Sequence, residues 1–190
     1  MKYRIGKKQI ACTVIAIIFA MCGTGVLAKA EETRVQKKLA EEVFRFHVLA
    51  NSDSKEDQAL KMKVKENVIT YMKEQLPKSE SVGMTKTWVS SHLDKIESLA
   101  KETLLAEGSS DSVEAKVTNC YFPDKTYGDV TFPQGNYDAL RIEIGEAKGQ
   151  NWWCVMYPPL CLDAALSEST LLTPEEKFLI TDNGYCIKFK

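Results

Sequence analysis

The stretch Val43–Gln75, VFRFHVLANSDSKEDQALKMKVKENVITYMKEQ, contains a strand, a turn and a helix in direct succession. Residues 43–50 are rich in branched and aromatic side chains, which is typical of a β-strand. The turn formers that follow end in Ser54, which with Asp57 resembles a helix capping box. Apolar residues then recur every three to five positions, which predicts an amphipathic helix over 55–75.

The rest of the chain predicts a second helix over 86–107 and strands over 113–122, 137–144 and 152–157, with a long loop over 123–135. This order predicts an α+β fold, with two main helices packed on one face of a mostly antiparallel sheet. We expect a single domain over 43–190, preceded by a lead-in segment over 31–42. Its one core would consist of Phe46, Leu60, Val64, Leu93, Ile96, Leu140, Ile142 and Val155.

The N-terminus is typical of an export signal. Basic residues precede an apolar run from Ile10 to Cys22, and small residues surround Ala28-Lys29-Ala30. This pattern predicts a secretory signal peptide over residues 1–30, with retention as a membrane anchor as the alternative. Residues 31–190 contain 20 basic and 26 acidic residues, a net charge of −6. A body this acidic has no general attraction for nucleic acid or anionic lipid.

Four cysteines lie beyond residue 30, namely Cys120, Cys154, Cys161 and Cys186. An even number in an exported chain favours disulfides, and three pairings are open. We favour Cys154 with Cys161, because Pro158-Pro159 can reverse the short segment between them. The chain lacks a CxxC pair and the His/Cys spacing of zinc sites, so we expect no metal and no other cofactor.

Two segments supply candidate binding residues. Arg45 and His47 share one strand face if the strand is regular. The segment Asn51-Ser52-Asp53 offers more polar groups than one helix cap requires, although turn formation is the simpler explanation. Trp152 and Trp153 are adjacent on a strand and must face opposite sides, so one of them is a candidate interface anchor unless both are buried in a core.

Both segments resemble one known family. The similarity lies in Arg45–Ser54 with Asp57-Gln58 and Leu60-Lys61, and in the later strings Tyr127-Gly128, Gly135, Tyr137, Ala139-Leu140-Arg141, Ile144-Gly145, Asn151-Trp152-Trp153-Cys154 and Pro158-Pro159-Leu160-Cys161. On these residues the chain is similar to the stage II sporulation protein R family of endospore-forming bacteria.

The resemblance implies a sporulation signal that is not an enzyme. Members of the family are made in the forespore and exported into the space between forespore and mother cell. There they activate a membrane-embedded aspartic-type protease, which processes the precursor of the mother-cell sigma factor, sigma-E. We expect the extracytoplasmic part of that protease to be the partner, contacted by Arg45, His47, Asn51, Ser52, Asp53, Trp152 and Trp153.

Two other functions remain open. The sequence lacks the G-x-S-x-G, H-E-x-x-H and Walker signatures. A Cys154–His47 nucleophile pair would make the protein an extracytoplasmic hydrolase acting on cell wall. A second alternative is an envelope-binding module without a signalling role.

Overall fold

The computed structural model describes residues 34, 36–127 and 130–159. The elements in chain order are β1 Phe44–Leu49, α1 Lys55–Gln75, α2 Val82–Ser91, α3 Leu93–Ala106, β2 Val113–Phe122, β3 Lys125–Tyr127, β4 Val130–Phe132, β5 Gly135–Ile144 and β6 Asn151–Tyr157. Residues 36–42, in the predicted lead-in segment, are also helical. The predicted α+β class is therefore confirmed. The predicted signal peptide and Cys161 lie outside the described residues.

The main sheet has the strand order β2-β5-β1-β6. Strand β1 pairs parallel with β5, while β1 with β6 and β2 with β5 are antiparallel, so the sheet is mixed but mostly antiparallel. A parallel pair needs a long crossover connection. Here that connection contains the three helices α1, α2 and α3, followed by β2.

The sheet separates two cores. On the helical face, α1, α2 and α3 pack against Phe46, Leu140 and Ile142. On the opposite side, which we call the far face, lies a smaller core made of Leu39, Val43, Phe122, Phe132, Tyr137, Ala139 and Val155. The expectation of a single core was wrong for Val155, because alternate residues of β6 point to opposite faces.

Helix α1 begins where the sequence predicts it. The hydroxyl of Ser54 accepts a hydrogen bond from the Asp57 amide at 3.1 Å, which caps the first turn. Along α1 the buried residues recur at helical spacing, with Val64, Val68 and Met72 fully enclosed against the sheet. The helix thereby connects the end of β1 firmly to the helical core.

Two expectations about the middle of the chain were wrong. The predicted helix over 86–107 is two helices, because the backbone leaves helical geometry at His92 and its amide bonds to Val89 at 3.1 Å. The predicted loop over 123–135 contains the hairpin β3–β4, in which Tyr127 pairs with Val130. This hairpin brings Tyr127 and Phe132 toward the far face.

Candidate functional site

Polar side chains are aligned across the far face of the sheet. The strand register places His47 beside Arg141 of β5 on one side and beside Trp153 of β6 on the other. Arg141 in turn lies opposite Lys116 of β2. Arg45 lies two residues before His47 and therefore on the same face, as the sequence predicted. A sheet face normally packs apolar side chains or meets water, so this basic row requires an explanation.

The guanidinium of Arg45 is fully buried among aromatic rings. Its Cζ lies 4.2 Å from the ring centre of Phe122 and 5.0 Å from that of Tyr137, with Phe132 and Tyr127 at 5.5 and 6.0 Å. Nη2 donates to the Tyr127 hydroxyl at 3.1 Å, and Nε to the Cys154 carbonyl at 3.5 Å. Burial lowers the pKa of Arg45, but the rings stabilise its charge through cation–π attraction.

His47 is enclosed beside this cage. Its ring is stacked on Trp153, with 3.7 Å between centroids and 18° between planes. Burial lowers the pKa of His47 to about 4, and the nearby charges of Arg141 and Arg45 act in the same direction. The Asn151 side chain offsets part of this lowering, yet neither ring nitrogen makes a hydrogen bond of normal geometry. His47 is thus a neutral, enclosed imidazole at neutral pH.

Arg141 is more accessible, with 27% of its side chain exposed. Its Nη2 lies 2.6 Å from Oε1 of Glu143, while the other oxygen of Glu143 binds Lys116 at 2.8 Å. These cations lower the pKa of Glu143 despite the opposing effect of burial. The Nε of Arg141 is buried without a hydrogen-bond partner.

The unsatisfied polar groups of the described residues converge on this one face. Four buried side-chain nitrogens there have no hydrogen-bond partner: Nη1 of Arg45, both ring nitrogens of His47 and Nε of Arg141. Buried polar groups in proteins are almost always hydrogen-bonded. We call Arg45, His47 and Arg141 the basic triad, and it is the candidate functional site.

The predicted binding residues of the turn have internal partners. Asn51 accepts from the Glu146 amide at 2.9 Å and donates to Asp57 at 3.0 Å. Ser52 donates to the same carboxylate at 2.5 Å, and both bonds lower the pKa of Asp57. Asp53 accepts from the Gln150 amide at 2.6 Å. The turn therefore fastens the end of β1 to the β5–β6 connection.

Two glycines, Gly145 and Gly149, also pack closely against the turn. Gly145 has φ +56°, and a side chain there would overlap the Asn51 amide. A Cβ on Gly149 would overlap the backbone carbonyl of Ser52. The motif from Asn51 to Ser54 and the glycines near Asn151 thus form one unit, which we call the clasp. Its geometry holds β1 and β6 in the register that stacks Trp153 on His47.

The two tryptophans lie on opposite faces of β6, as predicted. Trp152 packs edge-on against Phe46 on the helical face, with 5.5 Å between ring centroids. Trp153 covers His47 on the far face and contacts Phe122 at 4.7 Å. Both are half-buried. Neither is a fully enclosed core residue, so both leave area for a partner.

Cys154 is buried and lies opposite Phe46 in the register. Because Cys161 lies outside the described residues, the Cys154–Cys161 pairing stays a prediction. Cys120 is a free, half-buried thiol, and burial raises its pKa. Within the described ranges no group of three His, Cys, Asp or Glu side chains could hold a metal ion. The helices of that part include none long and apolar enough to cross a membrane.

Sequence reasoning selected Arg45 and His47 but missed Arg141 as a site residue. Alternation along β5 was the available signal, because it places Arg141 on the face opposite Leu140 and Ile142. The aromatic cage was not predictable, since Phe122, Phe132 and Tyr137 come from three different elements.

Comparison with known proteins assigns the family. The family described as stage II sporulation protein R matches residues 40–166, which include every strand of the main sheet. Stage II sporulation protein R of Bacillus subtilis (strain 168) is 33% identical over 150 residues, which cover 76% of this chain and 67% of that protein. No solved structure matches the chain. The matched region holds the basic triad and the clasp, and the chain belongs to the stage II sporulation protein R family.

Proposed function

We propose that this protein is an exported sporulation signal, which activates a membrane-embedded aspartic-type protease by contact. The protease then processes the precursor of the mother-cell sigma factor, sigma-E. The signal crosses the forespore membrane by means of residues 1–30 and acts in the space between forespore and mother cell. The observation that carries the proposal is the family match over residues 40–166.

The contact surface we propose is centred on Trp153. This ring is half-buried and covers His47, and the partly exposed Arg141 flanks His47 on the other side. Half-exposed aromatic and arginine side chains are the residues most enriched in protein interfaces. Asn51, Ser52 and Asp53 support this surface through the clasp, because their hydrogen bonds fix the β5–β6 connection.

Such a ligand needs no catalytic group of its own. It shifts the protease toward an active state only by the difference in its affinity for the active and inactive states. A rigid contact surface raises the affinity for the state whose shape it fits, because little conformational entropy is lost on binding. The clasp and the stacked His47–Trp153 pair are features of that kind.

The geometry disfavours the rival cysteine hydrolase. Cys154 lies opposite Phe46, on the helical face, whereas His47 lies on the far face. A histidine that activates a thiol must lie within hydrogen-bonding reach of the sulfur. The neutral His47 ring instead packs on Trp153.

Co-expression tests the proposal. The protease and the sigma-factor precursor are produced in a host without other sporulation proteins, with and without this chain. We expect precursor cleavage only when the chain is present, and loss of cleavage when the catalytic aspartates of the protease are changed to alanine. Equal cleavage without the chain would refute the proposal. In a pull-down, binding of the chain to wall material but not to the protease ectodomain would support the envelope-binding alternative.

A further inference from the structure

We propose that the basic triad of Arg45, His47 and Arg141 is a carboxylate-binding site, which takes an acidic side chain of the partner protein. The partner's identity rests on the proposed function above, whereas the carboxylate chemistry rests on the triad alone.

The triad contains hydrogen-bond donors that no described residue of the protein accepts from. A buried donor without a partner costs about 1–3 kcal/mol. Here three donors are in this condition, namely Nη1 of Arg45, Nε of Arg141 and the one N–H of neutral His47. They occupy neighbouring strand positions, since His47 is paired in register with Arg141 and Arg45 precedes His47 by two residues. A single buried donor without a hydrogen-bond partner would be unremarkable. Their convergence indicates a place prepared for an acceptor from outside the fold.

The charge of the far face also favours an anionic ligand. The ion pairs of the described residues do not include Arg45. Glu143, which binds Arg141, is shared with Lys116. With Glu114, which also binds Lys116, the far-face strand positions carry three cations (Arg45, Arg141 and Lys116) and two carboxylates (Glu114 and Glu143). This excess of one positive charge lies within a body whose net charge is −6 over residues 31–190. An anionic acceptor neutralises this excess charge and also accepts hydrogen bonds from the unpartnered donors. A neutral amide oxygen accepts the hydrogen bonds but leaves the charge.

The shape of the donor groups also matches a carboxylate. A guanidinium presents parallel N–H groups that match the two oxygens of a carboxylate. Neutral His47 can add one further N–H bond. The ligand would enter over Arg141, whose side chain is 27% exposed. A single acidic side chain has a slim stem suited to this approach, whereas a phosphate-rich membrane surface would be repelled by the acidic body.

Titration of the isotope-labelled full chain with short blocked peptides tests the site directly. The probes are acetyl-Gly-Glu-Gly-amide, its Gln counterpart and inorganic phosphate, observed through the side-chain NMR signals of the triad. We expect the Glu peptide to shift the His47 ring and Arg141 Nε signals in a saturable manner, and the Gln peptide to leave them unchanged. Equal responses to the Glu and Gln peptides, or to phosphate and the Glu peptide, would overturn the proposal.

A matched pair of variants separates the triad from general charge. Arg141→Gln removes the buried donor, while Lys116→Gln removes an equal charge from the adjacent strand, where the ammonium already binds Glu114 and Glu143. We expect Arg141→Gln to weaken Glu-peptide binding by about tenfold or more and Lys116→Gln to change it about twofold or less. Equal weakening in both variants would indicate nonspecific attraction and overturn the proposal.

One further variant tests the acidic residues of the segment 160–190 as the occupant. Asp163, Glu168, Glu175, Glu176 and Asp182 are changed to amides together in the full chain. We expect the triad signals and the Glu-peptide affinity to stay as in the wild type. A shift of those signals without added peptide would make an internal carboxylate the ligand instead. Because these readouts need no protease, peptide binding without precursor cleavage would overturn the proposed function and leave the site standing.

Discussion

The ring of Trp153 lies flat on the imidazole of His47, with 3.7 Å between the ring centroids. A second pair of the same kind exists at the end of α2, where Trp88 of the helix is stacked on His92, the residue that follows it, at 4.0 Å. The two pairs differ in surroundings, because the first lies on the far face beside Arg141 and the second among the helices. This difference makes the helical pair a built-in control for the first.

The buried His47 makes stability depend on pH. The unfolded chain binds a proton at His47 below about pH 6.5, whereas the folded chain does so only near pH 4. The contribution of neutral His47 to the free energy of unfolding is therefore present above about pH 6.5 and is lost progressively as the pH falls toward 4. We expect a loss of about 2 kcal/mol between pH 7 and pH 5, measured by urea unfolding. His47→Phe should remove most of this loss and His92→Gln should retain it. An equal loss in wild type and His47→Phe would contradict the assignment.

Trp153→Ala should abolish processing of the sigma-factor precursor, because it removes the exposed aromatic of the proposed contact surface. Trp88→Ala is the control, since Trp88 is also half-buried and stacked on a histidine. Each change costs up to about 3–5 kcal/mol of folding free energy. Processing is compared at matched levels of exported, folded protein. Equal loss of processing in the two variants would indicate a folding defect instead of a lost contact.

Gly149→Ala should destabilise the fold by roughly 1–3 kcal/mol, because the new methyl group overlaps the Ser52 carbonyl in the clasp. Gly83→Ala is the control, and we expect it to leave the stability of the fold unchanged or to raise it. Its nearest neighbour is the Ser81 hydroxyl at 3.9 Å, and alanine favours a helix over glycine by about 1 kcal/mol. Thermal unfolding of both variants measures the difference. A neutral Gly149→Ala would contradict the tight approach of the two loops.

Arg45→Met should leave stability unchanged or raise it, yet abolish processing. Methionine fills the aromatic cage without a buried charge, and replacing a buried charge by an apolar residue of similar length is often neutral or stabilising. The measurements are urea unfolding and precursor cleavage on the same preparation. Normal cleavage in a stable Arg45→Met protein would show that the guanidinium has no part in signalling.

Regular periodicity allowed most of the fold to be predicted. Helix α1 and strand β2 have the bounds that the sequence predicts, because one shows a clear apolar stripe and the other lies between turn residues. The interruption at His92 escaped prediction because Val89, Leu93 and Ile96 continue the stripe across it. The β3–β4 strands have three residues each, too few to show alternation.

The site was less predictable, for a physical reason. Every residue of β1 is buried, so neither face of this strand is marked by alternation. Pattern reasoning placed Arg45 and His47 on one face, but their burial depends on aromatic residues distant in sequence. The parallel pairing that brings Arg141 beside His47 is likewise a long-range contact. Local sequence patterns carry no information about this burial or about this strand pairing.

The most direct test of contact across compartments uses a chain that lacks residues 1–30 and stays in the cell that makes it. This version and the full chain are produced at equal levels during sporulation, and cleavage of the sigma-factor precursor is measured. Our account predicts cleavage with the full chain and none with the confined one. Full cleavage with the confined chain would contradict it.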